Sequence, residues 1–458
     1  MQRNATAQQI TEGVIWKQLL LFFFPILLGT FFQQMYNTVD TIIVGRFVGT
    51  PALAAVGSTS ALISLINGFF IGLSNGATVI LSQFYGAHDQ KGVDNALHTG
   101  VVLSLVLGLI TALLGILAGP WILRCIQTPE SCLADAVLYE RIYFSGAIAS
   151  MVYNMGSGIL RAMGDSRRPM IFLIVACFVN IFMDLLFVVV LQMGVAGAAI
   201  ATVGSQVVSA VLVLWVLCHL PEGSRLSFRK LRIQGPLLKR ILCIGIPAGL
   251  QFITFDLANL LIQSCINSFG DITVAAWTAY VKTDAITWMI SGAFGVSITT
   301  FVGQNFGAQK YRRIRQSVWV CMAMSVSMIG LLSALVLTFR EAILGIYTPD
   351  LEVVRMGARV MLCIVPFNAL FMPVEVFAGT MRGTGYSVMP TVITCLCVCV
   401  FRVLWVTFVV SRYHTVELLA LSYPLSWALA AGVFLIAYLR GTWLRKRIQS
   451  CGMAPEVR

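Results

Sequence analysis

The chain has 458 residues, of which 58% are hydrophobic and only 11% charged, and its mean hydropathy is +0.87. Its 31 Lys and Arg and 19 Asp and Glu are too few to solvate a water-soluble protein of this length, since roughly a quarter of the residues in such proteins are charged. That excludes an ordinary soluble enzyme, a disordered chain and a coiled coil, and leaves a multi-span membrane protein. At about 20 to 25 apolar residues per crossing, about twelve crossings use up the chain, and no sizeable soluble domain fits.

Apolar runs predict spans over 17–44, 52–82, 97–119, 137–160, 170–191 and 194–218, then over 240–268, 273–303, 317–339, 354–380, 388–411 and 416–439. On this parse 22 Lys and Arg fall at the termini and in the loops on one side, and four (Arg46, Arg124, Arg340, Arg412) on the other. The remaining five (Arg141, Lys282, Arg355, Arg359, Arg402) lie within or at the ends of spans. An excess of Lys and Arg marks the cytoplasmic side, so both termini and the linker 219–239 are expected inside. Basic loops facing anionic lipid account for the net charge of +12, and no nucleic-acid partner is expected. No secretory signal peptide is expected, because the first apolar stretch is span length and lacks a small-residue cleavage site.

The cysteines lie mostly in spans. Cys395, Cys397 and Cys399 alternate at a spacing that spreads them around a helix, and they read as packing residues rather than a metal cage. Cys125 and Cys132 share an outward loop and are candidates for pairing.

The two halves repeat at a lag of about 221 residues. Gln83–Ala87 answers Gln304–Ala308, Arg161–Gly164 answers Arg382–Gly385, Pro169 answers Pro390, and Pro25 has Pro247. Six spans per copy give both copies the same orientation. The expected fold is therefore an all-α membrane protein: twelve transmembrane helices in two six-helix bundles related by a pseudo-twofold axis along the membrane normal. The expected parts are 1–218, a cytoplasmic linker 219–239, a second bundle 240–440 and a cytoplasmic tail 441–458. Such a duplication suits alternating-access transport, and a single chain of this design is expected to work as a monomer.

The run from Gln33-Gln34-Met35-Tyr36-Asn37 through Asp40 to Gly45-Arg46, with Ala54-Ala55-Val56-Gly57 behind it, resembles the opening of the multidrug and toxic compound extrusion (MATE) family. Gln83–Ala87, Gly158–Asp165, Leu191–Thr202, Gln304–Ala308 and Glu375–Gly385 continue the resemblance over nearly the whole chain. It implies a secondary antiporter of the cell membrane that expels small organic compounds, often cationic or amphipathic, in exchange for H+ or Na+, with no other cofactor.

Ionisable groups inside spans cost about 2.5 to 3.5 kcal/mol each on insertion scales, so their presence points to function. Asp40 lies late in the first span, Asp184 within the fifth, and Asn180 one helical turn before Asp184. Thr202 follows in the sixth. Two carboxylates, a carboxamide and a hydroxyl make an oxygen set suited to Na+, or to one proton between the acids. The other reading of Asp40 is a cap at the span end or a pair with Arg46. The resemblance maps a family cation site onto Asp40, Asn180, Asp184 and Thr202, and a helix hinge onto Pro25, whose missing donor leaves a weak point in the turn.

The second half carries Asp256, Lys282, Asp284 and Glu375, either as ionisable function or as structural pairs in which Lys282 neutralises Asp256 or Asp284. Gln33, Gln34, Tyr36 and Asn37 with Met151, Tyr153 and Asn154 are candidates for a substrate-cleft wall, or for polar glue between helices. Phe22-Phe23-Phe24 reads as lipid-facing. A flippase for lipids or lipid-linked precursors is the alternative function, but it wants a cationic cavity. An enzyme is not expected: GxSxG, HExxH and Walker motifs are absent from the sequence.

Reporter fusions or thiol labelling of intact cells should place the 219–239 linker in the cytoplasm. A linker labelled from outside would end this topology.

Overall fold

A computed structural model describes residues 10–125 and 128–450. Met1–Gln9, Ile126, Gln127 and Cys451–Arg458 lie outside the described residues, and with them the ends of the expected first part and of the expected 441–458 tail. Among the described residues every regular element is helical.

In the first half α1 spans Ile15–Ile43 and runs on as a π-helical turn, Val44–Val48. It passes through Pro25 without a break. Then follow α2 (Thr50–Gly86), α3 (Gln90–Cys125), α4 (Glu130–Ser145), α5 (Ala147–Ala162), α6 (Arg167–Asp184) with a π-helical extension Leu185–Val190, and α7 (Gly194–Cys218). The second half has α8 (Gly235–Asn267), α9 (Asp271–Gly307), α10 (Tyr311–Thr338), α11 (Arg340–Tyr347) and α12 (Leu351–Ile364). A 3-10 segment, Val365–Leu370, leads into α13 (Phe371–Gly383). The next crossing is α14 (Val388–Thr394), α15 (Phe401–Trp405) and α16 (Ser411–Tyr413), joined by the π-helical stretches Cys395–Val400 and Val406–Val410. Last come α17 (Val416–Arg440) and α18 (Thr442–Ser450).

Eleven helical stretches among the described residues are long and apolar enough to cross a membrane. The twelfth crossing is α4 with α5, interrupted at Gly146, where a side chain would run into Val203 of α7. The matching place in the second half is the 3-10 segment, where Pro366 has no N–H to donate. Both halves thus break their fourth crossing.

Backbone conformation carries the duplication further. Positive φ occurs at Gly49 and Gly270, at His88 and Gln309, and at Gly164 and Gly385, each pair 221 residues apart. Left-handed residues end helices at set points, so each pair marks the same turn built twice.

The chain divides into two compact units, Leu21–Gly249 and Ile10–Leu20 with the residues from Leu250 onward. In the first, Ile80, Leu97, Met155, Ile159, Val213 and Leu217 form a dry core. The linker is ordered against α3: His98 Nε2 accepts from the Ser227 N–H at 3.1 Å and Arg232 donates to Asn95 at 3.0 Å. In the second, Arg313 donates to the carbonyls of Ile10, Glu12 and Gly13 at 3.2, 2.9 and 2.8 Å, holding the chain ahead of α1.

Large apolar side chains remain exposed along the crossings, among them Leu117, Trp121, Phe182, Val190 and Phe408. Facing hydrocarbon, they need no cover. Phe24 is of this kind, but Phe22 and Phe23 are buried, so only one of that trio faces outward. An apolar triplet turns through most of the helix circumference, which composition alone does not show. Cys125 is exposed and Cys132 buried, and both are free thiols, the latter donating to the Pro129 carbonyl.

α2 crosses the start of α8 through Gly72 and Gly76 on one helix and Gly245 and Gly249 on the other. A Cβ on Gly76 would stand 2.8 Å from the Gly245 nitrogen, and one on Gly72 would overlap the Gly249 backbone. Small residues four apart allow such close packing of helices in lipid. Gly72→Ala should therefore lower the melting temperature of the detergent-purified protein, through an overpacking penalty of about 1 to 3 kcal/mol. Gly330→Ala, with open space around its site, should leave it unchanged or raise it. Equal melting behaviour of the two variants would contradict the close crossing.

Candidate functional site

In the first unit α1 presents Asp40, α6 presents Asn180 and Asp184, and α7 presents Thr202. All four are buried, Asn180 and Asp184 completely. The Asp40 and Asp184 carboxyl groups interact directly. Asp40 Oδ1, both oxygens of Asp184 and both amide atoms of Asn180 are sealed from solvent without a hydrogen-bond partner. Thr202 lies on the helix that packs along α6. Asp40 makes no ion pair with Arg46 among the described residues, and α1 continues beyond it, so it is not a helix cap.

Buried polar atoms are nearly always hydrogen-bonded, and a cluster of orphan acceptors is an exception that asks for a reason. Two ionised carboxylates held together in a low-dielectric surrounding repel. A proton or a small cation between them removes that repulsion, and oxygen donors of these types are what a hard monovalent ion takes. The π-helical turn directly after Asp184 departs from regular winding at this place. Such turns are frequent at functional sites.

Tyrosines surround the acids. Tyr139 interacts electrostatically with both Asp40 and Asp184, and Tyr36 lies near Asp40, Tyr143 and Tyr153. Tyr143 stacks on Tyr139 with ring centroids 6.3 Å apart and accepts from Asn67 Nδ2 at 3.0 Å. Of the residues expected to line a cleft, Tyr36 and Tyr153 are thereby brought together. Met151 is packed in the core, Asn154 is half-buried and donates to Ser150 of its own helix, and Gln33, Gln34 and Asn37 are exposed on α1.

The second unit holds a cavity of about 570 Å³. Asp284 and Glu375 line it, whereas Asp256 and Lys282 do not. Asp284 accepts from Asn368 Nδ2 at 3.0 Å and from the Tyr280 hydroxyl at 3.4 Å, with Thr287 and Trp288 as further partners. Lys282 is exposed on α9 and is not among the groups that serve Asp284. Glu375 instead receives Arg382 at 2.8 Å.

The MatE family profile matches residues 25–186 and again 247–408, one copy in each half. The chain belongs to the MatE family. It is 28% identical over 458 residues to the probable multidrug resistance protein YoeA of Bacillus subtilis, covering 98% of both chains. It is 30% identical to the probable multidrug resistance protein YpnP of the same organism, over 83% of this chain and 85% of that one. A crystal structure of MATE in the bent conformation superposes with a TM-score of 0.90 at 23% identity, covering 97% of this chain and all of the other, which shows the shared fold. This MATE protein is thus a multi-pass member of a transporter family.

Three features of the MATE chain escaped the sequence reading. Tyr139 and Tyr143 looked like ordinary span aromatics. Glu140 is fully buried, neither of its oxygens has a partner, and a side chain on Gly119 would overlap its carboxylate. Its place near a predicted span start concealed it. Arg402 is 1% exposed and lines the cavity, and a lone arginine inside an apolar run was the signal available.

Proposed function

We propose that the protein is a secondary active antiporter of the cell membrane. It exports small organic compounds by alternating access, in exchange for one H+ or Na+ held at Asp40 and Asp184, and it works as a monomer with both termini in the cytoplasm. The observation that carries the coupling is the direct interaction of two buried carboxyl groups, of which both Asp184 oxygens and Asp40 Oδ1 have no protein donor. A site built for a protein-internal role would place donors there, as the second unit does around Asp284. The names of the Bacillus subtilis relatives support the class of cargo.

Mechanistically, the chain's own oxygens compete for the ion. Neutralising the acid pair removes the repulsion between α1 and α6, and releasing the ion restores it, so occupancy biases how α1 sits against its neighbours. Pro25 gives α1 a turn without a closing hydrogen bond at which it can bend. Asn180 and Thr202 complete the oxygen set when Na+ is bound. A flippase for lipid precursors would need cationic groups in place of this acid pair.

Each elementary charge crossing about 100 mV supplies about 2.3 kcal/mol. Asp184→Asn and Asp40→Asn, which keep size and remove the exchangeable charge, should each cut gradient-driven uptake into inverted vesicles by about tenfold or more. The double variant should be hardly worse, because groups holding one ion act as a unit. Glu375→Gln and Asp256→Asn should be milder. If Glu375→Gln alone stops coupled uptake while Asp40→Asn is near normal, the coupling site lies in the second half.

A further inference from the structure

The cavity of the second unit is walled largely by aromatic side chains. Phe252, Phe255, Trp277, Trp288, Phe371 and Tyr423 supply flat apolar faces. Its volume of about 570 Å³ is that of a small-molecule site, a class that runs from about 300 to 1,000 Å³. Among these faces stands Arg402, which no acid among the described residues neutralises. Arg402 Nε donates to Ser426 Oγ at 2.9 Å, and its guanidinium lies 3.9 Å from the Tyr423 ring centroid and 5.7 Å from that of Trp427. Its Nη2 is buried without a partner.

The other charges of the cavity are already engaged. Arg382 takes Glu375 in a 2.8 Å ion pair, and Asp284 is served by Asn368 and Tyr280. Arg402 forms no salt bridge among the described residues. A buried guanidinium without a counter-ion is strongly unfavourable, and stacking on aromatic faces offsets only part of that. A planar fork of donors matches a carboxylate, and the resulting charge-assisted bonds are the strong ones. Gln251 also lines the cavity, and its Oε1 is buried without a partner.

We propose that this cavity binds planar aromatic molecules carrying a carboxylate or similar oxyanion, the anion received by Arg402 and the ring body by Trp277, Trp288 and Phe371. The site is independent of the coupling reading, since it is defined by binding and needs no ion gradient.

The test is equilibrium binding to the detergent-purified full chain of four probes: 2-naphthoate, its neutral amide, 2-naphthylmethylammonium, and oleate, an acid without a ring. The wild type should bind 2-naphthoate about tenfold more tightly than the amide or the ammonium, and about tenfold more tightly than oleate. Arg402→Gln should bring acid and amide to within about twofold of each other, with amide affinity little changed, and Arg402→Lys should restore part of the preference. Trp288→Ala should weaken the three ring probes alike. The wild type alone decides the charge preference, whatever the folding of the variants: amide or ammonium bound as tightly as the acid overturns the proposal. Oleate bound as tightly as 2-naphthoate overturns its aromatic part, and an acid preference that survives in Arg402→Gln overturns the role of Arg402.

Discussion

The contact between Asp40 and Asp184 is the constraint on which the first unit turns. Two acids from different helices share one buried place, and the surrounding protein leaves Asp184 and Asn180 without donors. An arrangement of that kind is stable only with something positive between the oxygens. On the proposed coupling, its energy depends on occupancy, so that the position of α1 beside α6 responds to the ion. Tyr139, which interacts electrostatically with both carboxyls, and Tyr143, stacked on it, stand beside the pair on α4.

The chain uses one backbone twice and one chemistry once. Turns recur at a strict 221-residue interval in Gly49 and Gly270, His88 and Gln309, Gly164 and Gly385. At the same interval Asp40 answers Leu261, Asn180 answers Phe401, Asp184 answers Trp405 and Thr202 answers Tyr423. In the other direction Arg402 answers Ile181 and Asp284 answers Ile63, whereas Arg161 and Arg382 persist in both halves. The duplicated scaffold is fixed by helix ends, while each unit keeps its own polar interior: orphan oxygens in the first, and in the second an aromatic cavity with a guanidinium that no acid among the described residues pairs. The ion pair of Arg382 with Glu375 has no equivalent in the first unit, because Asn154 stands where Glu375 does.

Much of this was legible beforehand, for a physical reason. Hydrocarbon demands long apolar helices, and the observed crossings match the apolar runs closely. A carboxylate inside such a run is conspicuous, which made Asp40 and Asp184 readable, and Asn180 followed from its one-turn spacing. What a run of uniformly apolar residues hides is its rotational phase. Phe22 and Phe23 turn inward while Phe24 turns out, and the cavity's tryptophans resemble lipid-facing ones until neighbouring helices are placed. Lys282 illustrates the same limit: its position within a span fitted a partner for Asp284, yet it is exposed while Asp284 is served by Asn368 and Tyr280. Arg402 was visible only as a stray charge, and its meaning rests on the absence of an acid beside it.

The most direct test of the central claim is an infrared titration of the protein in lipid, following the carbonyl band of protonated carboxyl groups as pH is raised, with and without Na+. If Asp40 and Asp184 hold one exchangeable ion, one carboxylic-acid band, separate from any band of the buried Glu140, should vanish on deprotonation. That band should be missing in both Asp40→Asn and Asp184→Asn, and if Na+ occupies the same place, Na+ should displace it at fixed pH. A band that persists in both variants and disappears in Glu375→Gln or Asp284→Asn would contradict the account and move the ion to the second unit.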